Sequence, residues 1–294
     1  MTVKFSGSMV ALVTPFQADG EVDYNALENL VNMQLEGGTH GLVICGTTGE
    51  AATMTSKEQD DVLSFVIKQV NGKIPVIAGT GSNNTRVAVE RSKAAKELGA
   101  DGLLVVTPPY NKPTQEGLVQ YYETITNEVK WPVILYNVPG RTSINMLPST
   151  VEKLADNPHV VAIKDATADL AVGSEIKQRC GDRITLLSGD DFTALPLLSI
   201  GGEGWISVTA NVFPKELVDM YQAWQDGEIS KAQAIHYKFF PVHGLMFCQS
   251  NPIPCKATLS FLGKCEATVR SPLITMTGDS LEKLRSDLQA CGAL

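Results

Sequence analysis

Eight short apolar segments recur along the chain, and each has the length of a buried β-strand. They are nearly continuous runs rich in Val, Ile and Leu, which is typical of strands that are covered on both faces of a parallel sheet. The runs cover residues 9–13, 41–45, 75–78, 103–106, 133–136, 160–163, 184–187 and 205–208.

Segments with helical spacing lie between these runs. Apolar residues recur three and four positions apart in residues 24–35 and 62–70. Asp23 is placed to cap the first of these helices, and Gly99 is typical of a helix end. Eight alternations of strand and helix predict an α/β protein, a closed (β/α)8 TIM barrel, rather than an open sheet.

The pattern changes after the eighth run. Residues 231–242, 256–262 and 280–290 have helical spacing, and no further strand candidate follows. We therefore predict two domains: a catalytic barrel over residues 1–226 and a small helical C-terminal domain over residues 227–294.

Charge and composition favour a small-molecule partner. The chain has 32 acidic and 24 basic residues, interspersed, so no basic stripe is available for nucleic acid or anionic lipid. The cysteines and histidines have no zinc-site spacing, and we expect no metal. Residues 1–7 lack the pattern of a signal peptide, and no apolar run reaches about 18 residues, so we expect a cytoplasmic location.

Candidate catalytic residues are those that directly follow the apolar runs, because active sites of such barrels lie at the C-terminal strand ends. Lys164 ends the sixth run, where burial would favour its neutral amine, the form that makes a Schiff base. The alternative is a strand-end lysine paired with a carboxylate. Lys256 is a second candidate lysine, but it lies in the helical tail.

Four polar residues at or after the ends of the second and fifth runs are candidates for the same site. Tyr136 ends the fifth run and either passes protons or is an amphipathic rim residue. Thr47 and Thr48 lie in a glycine-flanked turn that either holds a carboxylate or is only a turn. Arg141 either binds a second carboxylate or is a solvated loop arginine.

Two other patterns are weak. Residues 79–84 begin like a dinucleotide loop, but Asn84 occupies the third glycine position, and there is no P-loop. Asp190 and Asp191 have no third ligand at metal-site spacing, so we expect them to cap a helix.

Residues 46–50 (GTTGE), 136–142 (YNVPGRT) and 161–165 (VAIKD), in this order, resemble the dihydrodipicolinate synthase family, and the resemblance runs from residues 8–15 to residues 251–256. It implies condensation of pyruvate with L-aspartate-4-semialdehyde on the route to diaminopimelate and lysine. No external cofactor is implied, because pyruvate would be bound covalently as an imine.

The resemblance also implies roles for individual residues. Lys164 would form the imine, Thr48 would hold the pyruvate carboxylate, and Tyr136, Thr47 and Tyr110 would form a proton relay. Three further residues would bind substrate: Arg141 the semialdehyde carboxylate, and Gly189 and Ile206 the pyruvate pocket. Tyr110 would come from a neighbouring subunit, which implies a homotetramer built as a dimer of tight dimers.

One region departs from the pattern of lysine-inhibited family members. Ser56, Gln59, Pro109 and Val87 stand where those members have a histidine pair, a tyrosine and a glutamate. Each lost charged hydrogen bond is worth about 1.5–3 kcal/mol. We therefore expect inhibition by lysine to be weak or absent.

Two rival interpretations remain. Other pyruvate-imine lyases, such as N-acetylneuraminate lyase or a 2-keto-3-deoxy sugar-acid aldolase, share the lysine and the tyrosine. The segment of residues 139–142 suits a short acidic aldehyde better than a polyhydroxylated sugar. A non-catalytic binding protein that keeps the barrel is the second rival, and the full set of relay residues argues against it.

Overall fold

The computed structural model describes residues 4–294. Its eight strands are all parallel and close into a barrel in chain order, with the last strand paired to the first, so the predicted (β/α)8 fold is confirmed. The strands are β1 Gly7–Ala11, β2 Gly41–Ile44, β3 Val76–Gly79, β4 Gly102–Val106, β5 Val133–Asn137, β6 Val160–Asp165, β7 Thr185–Ser188 and β8 Gly204–Ser207. Residues 1–3, on which the expectation about a signal peptide partly rests, lie outside the described residues.

The strands are apolar throughout because each is buried on two sides. Alternate side chains point into the barrel, where Met9, Val43, Ile77 and Ile134 belong to one inner cluster. The other set points outward to a larger cluster shared with the helices. This double burial explains why the strands were visible as continuous runs rather than as alternating patterns.

Twelve helices surround or follow the barrel in the described part of the chain. They are α1 Tyr24–Glu36, α2 Ser56–Val70, α3 Thr85–Leu98, α4 Gln115–Val129, α5 Pro139–Thr142, α6 Pro148–Leu154, α7 Leu170–Cys180, α8 Ala194–Ser199, α9 Pro214–Gln225, α10 Ile229–Leu245, α11 Ile253–Phe261 and α12 Gly278–Ala290. Among residues 4–294, none is long and apolar enough to cross a membrane.

The helix ends follow the chemistry of their sequences. Asp23 accepts a hydrogen bond from the backbone N–H of Ala26, and Thr55 forms a capping box with Glu58. Gly99 ends α3 with a φ of 97°, which a side chain would disfavour. The short helices α5 and α8 were not predicted, because four and six residues show too little periodicity.

The C-terminal helices pack against the barrel instead of extending from it. The turn between α9 and α10 contains Gly227 at a φ of 77°, close to the predicted domain boundary. Side chains of α10, α11 and α12 nevertheless belong to the same apolar cluster as the barrel helices. The division into two domains at residue 226 therefore stays a prediction.

Candidate active site

A cavity of about 130 Å³ lies at the C-terminal ends of the strands. Six of the eight predicted site residues line it: Thr47, Thr48, Tyr136, Arg141, Lys164 and Gly189. They come from four different strand ends, so the barrel closure is what brings them together.

Lys164 extends from β6 into this cavity and is only 5% exposed. Its backbone is in register with Tyr136 on β5, and its ammonium nitrogen lies 4.4 Å from the centre of the tyrosine ring. Burial lowers the pKa of Lys164 to about 8, while the carboxylate of Asp191 opposes this shift and the cation of Arg141 adds to it. At pH 7.4 about a fifth of such an amine is neutral, against about one part in a thousand for an ordinary lysine.

Tyr136 is a second buried titratable residue that lines the cavity. Burial raises the pKa of its phenol, whereas Arg141 and a hydrogen bond with Thr47 lower it. The phenol therefore stays protonated near neutral pH and has a hydroxyl partner beside it. This arrangement can pass a proton between the cavity and Thr47.

Thr48 and Arg141 are connected by a residue that the sequence analysis did not select. Asn251 donates its side-chain amide to Thr48 Oγ1 at 2.8 Å, and its backbone carbonyl accepts from Arg141 Nη2 at 3.2 Å. Asn251 is buried and lines the cavity. In the sequence it stood only as the first residue of segment 251–256, where the family resemblance ends.

The loop that carries Thr47 and Thr48 is fixed by the C-terminal helices. Glu50 follows this loop in the left-handed region, with a φ of 54°. Its buried carboxylate pairs with Lys256 and also accepts from the backbone N–H of Arg270 at 2.9 Å. Lys256 is therefore held in an ion pair and does not line the cavity, which weakens it as the alternative imine lysine.

Gly189 leaves room for the lysine side chain. A Cβ atom built on it would lie 2.9 Å from Lys164 Cε and 2.8 Å from Ala166 Cβ. Ile206 is placed differently, because it belongs to the apolar cluster inside the barrel and does not line the cavity. It lies among the residues beneath the site.

Tyr110 is not brought to the cavity within one chain. Its side chain is 88% exposed, and its backbone has a φ of 73°, which is unusual for a tyrosine. The contribution of Tyr110 from a neighbouring subunit therefore stays a prediction.

The expectation that Asp190 and Asp191 cap a helix is not confirmed for either residue, because α8 has no side-chain cap. Asp190 accepts from the backbone N–H of Thr193 at 2.9 Å, just before α8. Asp191 was interpreted wrongly. Its carboxylate turns towards the end of β8 and accepts from the backbone N–H groups of Val208 and Thr209.

A second cleft of about 720 Å³ adjoins the cavity and shares Tyr136 and Arg141 with it. The residues that depart from the lysine-inhibited pattern line this cleft: Ser56, Gln59, Val87 and Pro109. Arg91 also lines it, is 9% exposed, and pairs with Asp60. No group of three or more His, Cys, Asp or Glu side chains within residues 4–294 is arranged to hold a metal ion.

Comparisons of the sequence and of the fold with known proteins identify the same family. A model described as the dihydrodipicolinate synthetase family matches residues 4–291. A 4-hydroxy-tetrahydrodipicolinate synthase of Thermodesulfovibrio yellowstonii is 51% identical over 290 residues, which is 99% of each chain. The crystal structure of dihydrodipicolinate synthase from Aquifex aeolicus has a TM-score of 0.95 at 43% identity, covering 98% of this chain and 99% of that one. The chloride-inhibited synthase of Acinetobacter baumannii complexed with pyruvate has a TM-score of 0.96 at 44% identity, with the same coverage.

Proposed function

Because the chain belongs to the dihydrodipicolinate synthetase family, we propose that its reaction, the condensation of pyruvate with L-aspartate-4-semialdehyde, runs through an imine on Lys164. The activity is that of a 4-hydroxy-tetrahydrodipicolinate synthase, a lyase of lysine and diaminopimelate biosynthesis. The observation that carries the imine proposal is the buried position of Lys164 against Tyr136 in a small cavity at the barrel mouth.

Imine formation begins when the neutral amine of Lys164 attacks the keto carbon of pyruvate. The carbonyl oxygen takes up protons and leaves as water, and a C=N bond remains. Thr48, whose hydroxyl is oriented by Asn251, would hold the pyruvate carboxylate. Loss of a proton from the pyruvate methyl group then gives an enamine, which is the carbon nucleophile.

The enamine would attack the aldehyde carbon of the second substrate, and the aldehyde oxygen would take a proton. Tyr136 and Thr47 would deliver it, with Tyr110 of a neighbouring subunit completing the relay. Arg141 would bind the semialdehyde carboxylate, because its guanidinium is exposed at the edge of the cavity. Gly189 leaves the space for the lysine, and Ile206 supports the site from beneath. All of this chemistry uses side chains alone, so the proposal includes no cofactor.

The proposed assembly is a homotetramer, a dimer of tight dimers, in the cytoplasm. What supports self-association is the exposed phenol of Tyr110, which lies outside the cavity of its own chain although the proposed relay needs it. Pro109, the residue before Tyr110, lines the cleft of about 720 Å³ beside the site, so the segment that carries Tyr110 borders this cleft.

Substrate choice can be tested by comparing aldehydes. Purified protein is given pyruvate with aspartate-4-semialdehyde or with sugar aldehydes, and consumption of pyruvate is followed. We expect turnover with the acidic aldehyde and none with the sugars. Preference for a sugar would overturn the assignment.

The role of Arg141 can be tested in the same assay. Arg141→Ala should raise KM for the aldehyde far more than KM for pyruvate.

The subunit proposal can be tested by mixing two inactive variants. Tyr110→Phe and Lys164→Ala are each purified, mixed in equal amounts and allowed to exchange subunits. If Tyr110 acts across the interface, about a quarter of the sites in randomly mixed dimers are complete, and that share of activity returns. If Tyr110 acts within its own chain, no site is complete and no activity returns.

A further inference from the structure

Asp191 occupies a buried position next to the proposed imine site. It is 2% exposed, and one carboxylate oxygen, Oδ2, accepts three hydrogen bonds. The donors are the backbone N–H of Val208 at 3.0 Å, the backbone N–H of Thr209 at 3.0 Å and the Thr209 hydroxyl at 3.1 Å. These bonds tie the loop after β7 to the end of β8 and fix the carboxylate in place.

The same loop is in contact with Lys164. Gly189, two residues before Asp191, packs so closely on the lysine that its Cβ position lies 2.9 Å from Lys164 Cε. Val208, a donor to Asp191, lines the cavity that holds Lys164. The other oxygen, Asp191 Oδ1, is buried and has no hydrogen-bond partner among residues 4–294. The Asp191 carboxylate is therefore fixed in the loop that contacts Lys164, and its Oδ1 atom has no donor of its own among residues 4–294.

The imine needs such a charge at one stage. Attack by the amine of Lys164 forms the C–N bond, and the carbinolamine hydroxyl then takes a proton and leaves as water. Its departure creates an iminium ion, which carries a positive charge on a nitrogen buried away from water. A buried cation is costly unless an opposite charge lies near it.

We propose that Asp191 is a positioning residue that supplies the buried counter-charge for the iminium formed on Lys164. This inference rests on the proposed function, since it needs the imine to form. The influence of Asp191 already acts on the free amine, because its carboxylate raises the pKa of Lys164 against the lowering caused by burial and by Arg141.

Other titratable groups surround the pair and bear on its pH dependence. They are Tyr136 on β5, whose pKa is raised by burial, Arg141 on α5, Asp190 in the same loop, His243 on α10 and Cys255 on α11. Burial lowers the pKa of His243, whose Nδ1 contacts the Thr209 hydroxyl at 2.9 Å, so its ring is neutral near pH 8. Burial raises the pKa of the Cys255 thiol, so it is neutral as well. Neither group replaces the charge of Asp191 in the range where Lys164 titrates.

The test removes the charge and follows the titration of the lysine. Wild type, Asp191→Asn and Asp191→Ser are incubated with pyruvate and borohydride over a pH series on both sides of pH 8, and the initial rate of adduct formation on Lys164 is measured by mass spectrometry. Removing the charge should move the midpoint of the acid limb about one pH unit lower, because an unopposed amine loses its proton more easily. The maximal kcat of the full reaction should fall, because the iminium is less stable.

Asp182→Asn is the matched control, since it makes the same chemical change at a carboxylate that is 97% exposed and does not line the cavity. It should leave the midpoint of the wild type unchanged. Two variants at position 191 are used so that a folding failure of one leaves the other to decide. A midpoint that stays at the wild-type value in the folded Asp191 variants, or that moves equally in Asp182→Asn, would overturn the inference. Absence of any adduct in wild type would instead overturn the imine proposal itself.

Discussion

The ion pair between Lys256 and Glu50 joins the C-terminal helices to the loop that carries Thr47 and Thr48. Lys256 is fully buried, and Glu50 is 4% exposed. The ammonium also donates to the carbonyl of Thr268 at 2.8 Å. We predict that Lys256→Met, which keeps the volume but removes the charge, destabilises the protein strongly.

The magnitude follows from what the substitution leaves behind. Glu50 remains buried with the backbone N–H of Arg270 as a partner, but it has lost the cation with which it forms an ion pair. Removing one member of a buried pair costs about 3–5 kcal/mol in comparable cases. That is a large part of the roughly 5–15 kcal/mol by which folded proteins are stable. Burial lowers the pKa of Lys256 and Glu50 opposes this, so the two residues act as one unit.

The assay is urea unfolding of wild type, Lys256→Met and the double variant Lys256→Met/Glu50→Gln, at one protein concentration and neutral pH. Glutamine keeps an acceptor for the N–H of Arg270 without the charge. The double variant should therefore regain at least half of the stability that the single variant loses. A loss below about 1 kcal/mol in Lys256→Met, or a double variant no more stable than the single one, would refute this reasoning.

Four further predictions concern the site. Gly189→Ala should reduce kcat severely, because the new Cβ would lie 2.9 Å from Lys164 Cε. Gly140→Ala is the control, because a Cβ there meets no atom within 4 Å. Equal losses of kcat in the two variants would contradict the argument. Tyr136→Phe should slow the condensation by about 10²–10⁴-fold if the phenol transfers protons, as measured by steady-state kinetics. The rate of pyruvate trapping by borohydride should rise with pH and reach half of its maximum near pH 8, because the neutral amine of Lys164 forms as the pH passes its pKa. A half-maximal rate near pH 10.5, the ordinary pKa of a lysine, would contradict the effect of burial. Lysine should inhibit weakly, since the second cleft is lined at the four departing positions by Ser56, Gln59, Val87 and Pro109, which supply neither a carboxylate nor an aromatic ring. A sub-millimolar inhibition constant would refute this.

The sequence was most informative where a physical pattern is repeated. Because the strands are buried on both faces, all eight could be predicted from their continuous apolar runs. Every predicted run overlaps a strand of the barrel. Because the strand ends of a parallel barrel meet on one rim, position alone brought Lys164 and Tyr136 into one predicted site. The family resemblance then selected among the alternatives for Thr47, Thr48 and Arg141.

Contacts between distant parts of the chain were not predictable in this way. Asn251 lies 203 positions from Thr48, and Lys256 lies 206 positions from Glu50. Nothing in local periodicity connects such pairs. For Lys256 a signal did exist, because it stands within the apolar stretch 253–259, where a lysine needs a partner. Asp191 was misread because an acidic residue after a strand more often caps the next helix. The proposed role of Tyr110 involves a second subunit, and a single chain shows only that its side chain is exposed.

The proposed mechanism requires that pyruvate is bound to Lys164 and not to Lys256. The most direct measurement is to reduce the protein with borohydride in the presence of pyruvate, digest it and locate the added mass by peptide sequencing. The account predicts a single adduct on the peptide that contains Lys164 and an unmodified Lys256. An adduct on Lys256, or a fully active enzyme with no adduct on Lys164, would contradict it.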